Sequence, residues 1–471
     1  MNEAPDELVV CNGIDGLTGR YAVAPASIAS LAERARRLAR APVTPPDALR
    51  SHFTLAGLRR LGDLRRMGWA VVFPSGTPDM VRTALAPLLA RRREQAGDRF
   101  KILEYDPHAD TFRSWLRRHD VGPGDPNRDR VPLYLLLVGS PDVIPFEVQY
   151  LLDIEYAVGR IAFDTPAEYA AYAQSVVEYE RAQMAIAGKE IVYWSPAHEY
   201  DVATNLSSEQ LIQPLVHGDP AAPKFRPPAG AAGFRSTLFE REAAEKQRLI
   251  DVFHRPAHEL PPAMIFTASH GVAWPRDHEK QMAAQGALLA QDWDLFDEVG
   301  PEHYVSASDI GNGARVHGLV AFLFACFGAG TPEWDSFNED RRNPAERIAS
   351  RSFVAALPRR LLAHPNGGAL AVIGHVDRAW GFSIVQPGGR RRIGPFRMAV
   401  ETILSGHPVG LATNDLSVRH AVLGAWLTQM LGGHDVPTDH ELASAWIEHN
   451  DAQSYVLLGD PAARLSAAAL G

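Results

Sequence analysis

Cysteine is almost absent from this chain. Two occur in 471 residues, Cys11 and Cys326, which leaves no disulfide framework and points to a reducing compartment. Long apolar runs are absent too. No stretch approaches the roughly 18 residues that would span a bilayer, so no membrane span is expected. The opening residues, MNEAPDELVVCNG, are acidic where a secretory leader would be basic, and they contain no apolar core. A cytoplasmic protein is the expectation. The net charge is −9 and no long block of one sign occurs, which argues against nucleic acid as the main partner.

Metal and phosphate motifs are missing as well. His434, His440 and His449 lie near Asp435, Asp439 and Glu441, but their spacing matches no ligand signature, and Thr438-x-x-Glu441 reads as a helix capping box. Asp335, Glu339 and Asp340 could be calcium ligands, but they lack the spacing of a calcium loop and read better as a solvated loop. The glycine-containing pieces GAGTP and GNGAR lack the Gly-Lys-Ser/Thr ending of a phosphate loop. No metal and no other cofactor is expected.

What is present is apolar and patterned. Hydrophobic residues make up 46% of the chain, enough for a large core, and the length suits two or three compact units. Apolar strands are expected at 69–73, 100–105, 133–138, 191–194, near 263–268, at 319–325 and at 368–373. Helices are expected between them at 78–93, 165–187, 243–254 and near 345–357, then at 394–405, 413–431 and 439–449. Thr77-Pro78 places a cap and a first-turn proline before the first of these. Thr165-Pro166-Ala167-Glu168 forms a capping box before the second. Alternating strands and helices predict an α/β fold with a mostly parallel sheet flanked by helices. The expected division is 1–65, a segment of unclear role; 66–185, a first α/β subdomain; and 186–471, a second with C-terminal helices.

Two strands end on reactive side chains. GLVAFLFACFGAGTP, residues 318–332, runs apolar into Cys326 and a glycine-containing turn. AMIFTASHG, upstream, does the same with His270 and Gly271. Ligands bind beyond the C-terminal ends of strands in open α/β sheets, so a thiol and an imidazole on that rim make a nucleophile and its base. The backbone N–H groups of Gly271 and Cys326 are candidates for an oxyanion hole. A free cysteine after an apolar strand is more often plain core. The Ser269-His270-Gly271 turn tips the balance toward chemistry, because a strand-end histidine is costly without a role or a partner.

Further motifs follow in a fixed order: LLLVGSPDVIPF at 135–146, Asp153, VGRIAFDTPAEY at 158–169, VVEYE at 176–180, GALAVIGHVDRAW at 368–380 and LLGDPAARL at 457–465. With the His-Gly and Ala-Cys strand ends, this order resembles the caspase-like superfamily of cysteine peptidases, and the gingipain type more closely than caspases, separases or the bacterial CHAT proteins. Phe324 replaces the glutamine of the caspase Gln-Ala-Cys motif, and the stretch from Asp153 to Gly159 is shorter than in gingipains. The resemblance implies a caspase-like fold in two gingipain-like subdomains. It implies a cysteine endopeptidase in which His270 serves as base for Cys326. In this register Asp153 matches the floor of a pocket selecting Arg or Lys, and Trp380 its wall. Asp153 capping a turn and Trp380 packing in the core are the structural alternatives. The partner implied is a protein or peptide substrate, with a partner effector or activator protein in an intracellular bacterial regulatory or defence role. A catalytically inactive binding or scaffold module and a thiol transpeptidase are the rivals. A carboxylate orienting His270 is expected, with Glu147 and Asp142 as candidates. Asp309 is expected to cap a turn.

Overall fold

The computed structural model describes residues 8–38, 60–219, 226–294, 298–337, 347–385, 390–433, 436–466 and 470. Glu339, Asp340, His434 and Asp435 lie outside the described residues. Ten strands form one sheet: β1 (Trp69–Pro74), β2 (Phe100–Tyr105), β3 (Tyr134–Val138), β4 (Ala157–Ile161), β5 (Gly188–Ser195), β6 (Arg235–Glu240), β7 (Pro262–Ala268), β8 (Val320–Phe324), β9 (Ala371–His375) and β10 (Tyr455–Gly459). Their lateral order is β2-β1-β3-β4-β10-β9-β8-β7-β5-β6. The inner strands YLLLV (β3) and VAFLF (β8) are buried at every position, as sequences lacking polar alternation must be when helices cover both faces.

Every neighbouring pair in this sheet is parallel except β9 and β10, which run antiparallel from Ala371↔Gly459 to His375↔Tyr455. The α/β class and the mostly parallel sheet are as expected. The single reversal adds a consequence. The C-terminal ends of β5, β7, β8 and β9 share one rim with the N-terminal end of β4.

The helices used below are α1 (Ile28–Leu38), α2 (Ala86–Ala96), α3 (Phe146–Asp153), α4 (Pro166–Arg181), α5 (Val202–Ser207), α6 (Asn414–Gly432) and α7 (Asp439–Gln453). Both capping boxes form, Thr165 with Glu168 and Thr438 with Glu441. Ser306 and Asp309 form a third, around the short turn they enclose. Other boundaries move. Pro78 stands before the first helical residue, Asp79, and the Thr77 hydroxyl turns back to the Pro74 carbonyl at 2.6 Å instead of capping. The helix placed near 345–357 begins only at Ala356, after a short strand at Phe353–Val354. No helix among the described residues is long and apolar enough to cross a membrane.

The Leu-Gly-Asp-Pro tail locks the far half of the sheet. Asp460 is fully buried. It accepts from the Trp69 indole at 2.9 Å and from Arg92 Nε, on α2, at 2.6 Å. Arg92 also meets Glu180 of α4 at 2.6 Å. Gly159 is required beside this motif, since a side chain there would begin 2.1 Å from the Gly459 carbonyl oxygen. Removing one partner of a buried ion pair leaves an uncompensated charge, so Asp460→Ala should cost about 3 kcal/mol or more in urea unfolding. An unchanged midpoint would contradict this account of the motif.

Residues 8–38 cross the rim. Leu8–Val9 pairs antiparallel with Ala26–Ser27. Gly13–Asp15 joins a small sheet beside Gly271–Ala273, followed by Ala287–Leu289 and Tyr304–Val305. Helix α1 packs against α7.

Candidate active site

Strands β7 and β8 lie side by side in register from Met264↔Val320 to Ala268↔Phe324. The ladder continues where the Ser269 N–H meets the Phe324 carbonyl at 3.1 Å. His270 and Cys326 therefore stand at one level, two residues beyond the paired ends. The backbones are tightly apposed: a Cβ on Gly271 would lie 1.9 Å from the Cys326 carbonyl oxygen. Past the thiol the chain turns sharply. Phe327 takes a left-handed conformation, φ 59°, a costly state for a bulky residue. Its N–H donates to the Asp377 carbonyl at 2.9 Å, and the Ala329 N–H to the His375 carbonyl at 2.9 Å. The loop after β9 thus holds the turn that carries Cys326.

His270 is completely buried, and its Nε2 lies 2.8 Å from Asp201 Oδ2. Asp201 caps α5 by accepting from the Thr204 N–H at 2.9 Å, and it also accepts from the hydroxyls of Thr204 and Tyr21. Burial alone would raise the Asp201 carboxyl. The facing His270 ring, with the hydrogen bonds from His270, Thr204 and Tyr21, outweighs it and holds the group well below the usual carboxylate range. An ionised carboxylate only accepts, so the Nε2 facing it carries a proton. Nδ1, buried without a hydrogen-bond partner, is then the ring nitrogen left to accept a proton.

The carboxylate on His270 is thus neither of the two residues singled out from sequence. Asp142 faces Arg351 at 3.6 Å, and Glu147 sits in the first turn of α3. Asp201 carried a usable mark, Asp201-x-x-Thr204, a helix N-cap pattern just past β5.

The cleft between these groups and the loop after β9 holds the chain's own residues 10–13. Cys11 bridges Trp380 in antiparallel fashion. The Asn12 N–H donates to the Ala379 carbonyl at 2.9 Å, and the Gly381 N–H to the Val10 carbonyl at 3.3 Å. The Asn12 carbonyl oxygen accepts two hydrogen bonds, from the Gly271 N–H at 2.9 Å and the Cys326 N–H at 3.1 Å. The buried Asn12 carboxamide has its Nδ2 3.4 Å from Ser207 Oγ and 3.5 Å from the Ser269 carbonyl. The Cys326 sulfur accepts from the Ala379 N–H at 3.2 Å, and a Cβ on Gly13 would lie 3.0 Å from it. Burial, and then the neighbouring Cys11 thiol, push the Cys326 thiol well above its ordinary range. With residues 10–13 in place it is protonated.

Trp380 is buried at this cleft, its ring 5.3 Å from Phe337 and its backbone N–H donating to Asp451 Oδ1 at 2.8 Å. Asp335 pairs with Arg378. Asp153 ends α3 on the same rim. Its Oδ1 accepts from the Val158 N–H at 3.1 Å and its Oδ2 meets the Ser417 hydroxyl of α6 at 2.9 Å. Ser417 also reaches the Thr413 carbonyl at 3.2 Å. A protonated Asp153 can donate to Ser417 while Ser417 donates to Thr413, which completes the chain.

Burial raises the Asp153 carboxyl to about 7, against the lowering hydrogen bonds from Val158, Ser417 and Thr413. The folded value exceeds the unfolded one, so this contribution to stability is full below the unfolded value, near 4, and is lost as pH rises through about 7. Asp153 keeps some solvent contact, which trims the effect. Asp153→Asn should gain about 1–2 kcal/mol over the native residue at pH 8 and less at pH 5, read by denaturant unfolding at both. A larger gain at pH 5 than at pH 8 would reverse the assignment.

No family model and no curated protein matches this chain. Solved structures do. One described as a protease superposes with TM-score 0.48 at 14% identity, covering 86% of this chain and 80% of its own. The Arg-specific cysteine proteinase gingipain R superposes with TM-score 0.46 at 12% identity, covering 85% and 78%. The complex of the pro- and mature domains of RgpB from Porphyromonas gingivalis gives TM-score 0.45 at 12% identity, covering 84% and 80%. These include the gingipain type that the order of motifs resembles.

Proposed function

We propose that this chain is a cysteine endopeptidase. Cys326 is the nucleophile, His270 the base and later the acid, and Asp201 the group that fixes the His270 tautomer. The observation that carries this reading is the pair of N–H groups, Gly271 and Cys326, meeting on a single carbonyl oxygen. Two donors converging on one peptide oxygen beside a thiol are what a tetrahedral acyl intermediate needs. The steps are those of thiol acyl transfer: the Cys326 sulfur attacks the carbonyl carbon as His270 takes its proton, the leaving nitrogen recovers that proton, and water then resolves the thioester. Cleavage of a partner protein in a regulatory or defence setting belongs to the same proposal.

The rival favoured by a specific observation is a binding module, because Cys326 is completely buried and its thiol protonated while residues 10–13 fill the cleft. A peptide-library cleavage profile, run beside Cys326→Ala, separates the two. Cleavage by the native chain alone supports the enzyme. Equal cleavage by both, or none by either, removes it. The same profile distinguishes cleavage after Arg or Lys, which Asp153 and Trp380 would govern, from cleavage after a small polar residue such as the one now beside Ser207.

A further inference from the structure

We propose that the Asn12–Gly13 bond is a self-processing site, cut by Cys326 of the same chain, and that the cleft accepts asparagine before the scissile bond. This rests on the peptidase reading above and goes beyond it. Four features put residues 10–13 in the register of a substrate and not of an ordinary strand. Residues 10–12 pair with Ala379, Trp380 and Gly381 through two backbone hydrogen bonds on either side of Cys11. The carbonyl of Asn12, and no other, receives both the Gly271 and the Cys326 N–H groups. Gly13, the next residue, approaches the Cys326 sulfur so closely that a Cβ there would stand 3.0 Å away. Its onward path is held by pairing of Gly13–Asp15 with Gly271–Ala273. The segment is therefore anchored on both sides of one peptide bond, with the nucleophile beside it.

The side chain that fills the cleft is a carboxamide. It lies among Ser207, Ser269 and the α5 end of the site, with its Oδ1 buried and unpartnered. The residues it meets are neutral hydroxyl and carbonyl groups, suited to a short amide.

The reaction balances without a co-reactant beyond water. The Cys326 thiol loses its proton to His270 Nδ1, and the sulfur bonds to the Asn12 carbonyl carbon. The oxyanion is held by the two N–H groups. The carbon–nitrogen bond to Gly13 breaks as His270 returns the proton to that nitrogen. Water, deprotonated by His270, then cleaves the thioester and gives an Asn12 carboxylate and a free thiol. Departure of the segment ending in Asn12 also removes the Cys11 thiol and the cover over Cys326, so processing would open the cleft to other chains.

The test is intact-mass and amino-terminal sequencing of the purified full chain over time under reducing conditions. The native chain should acquire a new amino terminus at Gly13, at a first-order rate independent of protein concentration. Cys326→Ala and His270→Ala should slow it by about a hundredfold or more, and Asn12→Ala by about tenfold while keeping the fold. A chain that stays intact yet cuts a peptide library through Cys326 overturns self-processing and leaves the peptidase standing. A chain that cuts neither itself nor any library overturns both. Equal cleavage at Gly13 in the native chain and in Cys326→Ala marks a spontaneous Asn–Gly scission and overturns the proposal.

Discussion

His270→Ala is expected to lower peptide turnover by roughly a thousandfold. The reason is the division of labour at the two ring nitrogens. Nε2 is committed to Asp201 at 2.8 Å, and Nδ1 has no other hydrogen-bond partner, so only Nδ1 can take and return the thiol proton. Without it, cleavage depends on spontaneous ionisation of Cys326, and burial opposes that. The variant's residual rate should therefore climb with pH across the neutral range, where the native enzyme has its base in place. A rate that falls less than tenfold, with an unchanged pH profile, would remove His270 from the chemistry. Beyond Asp201 the ring meets Tyr21 edge-on at 5.7 Å, and thermal unfolding of the variant checks that the fold survives the loss of both contacts.

Asp201→Asn is expected to have a comparable cost, between a hundredfold and ten-thousandfold in kcat. One oxygen, Oδ2, serves both His270 and the Thr204 N–H, so an amide nitrogen turned to His270 gives up the α5 cap, and stability should fall at neutral pH. The proton changes place as well. An amide NH2 facing Nε2 forces that nitrogen to accept, moves the ring proton to Nδ1 and blocks it as a base. The expected signature is a fall in kcat. A second readout is stability. The Asp201 carboxyl titrates below its unfolded value, so its contribution is full above about pH 4 and is lost as pH falls further. Any native advantage over Asp201→Asn should vanish in that acid range. An Asp201→Asn enzyme with native kcat would show that the carboxylate does not set the tautomer.

Much of the sheet was legible because its strands are apolar without interruption. LYLLLV, VAFLF and the AMIFTA stretch have no polar alternation, and only a sheet covered on both faces accommodates them. The residues after β7 and β8 were legible for the same reason: His270 and Cys326 interrupt those runs at their ends. The Gly271 and Cys326 N–H groups followed from the same placement. Asp201 was missed because it belongs to neither strand. It reaches His270 through a six-residue helix, and nothing local links two positions that far apart in sequence. The antiparallel join of β9 and β10 was missed because a C-terminal strand returning between two halves of a sheet leaves no periodic trace. Residues 10–13 were hardest of all. Cys11-Asn12-Gly13 reads as a turn, and its meaning comes entirely from Gly271, Cys326 and Ala379, all hundreds of positions away. Asp153 was noticed by motif order, yet its two oxygens are spoken for by Val158 and Ser417, neighbours that sequence could not supply.

The most direct measurement is peptide mapping of the native chain after exposure to a peptidyl chloromethyl ketone, beside His270→Ala. The account predicts a single thioether on the sulfur of Cys326, formed far more slowly in the variant. An adduct confined to Cys11, or a Cys326 that stays unmodified while the chain still cleaves peptides, would contradict it.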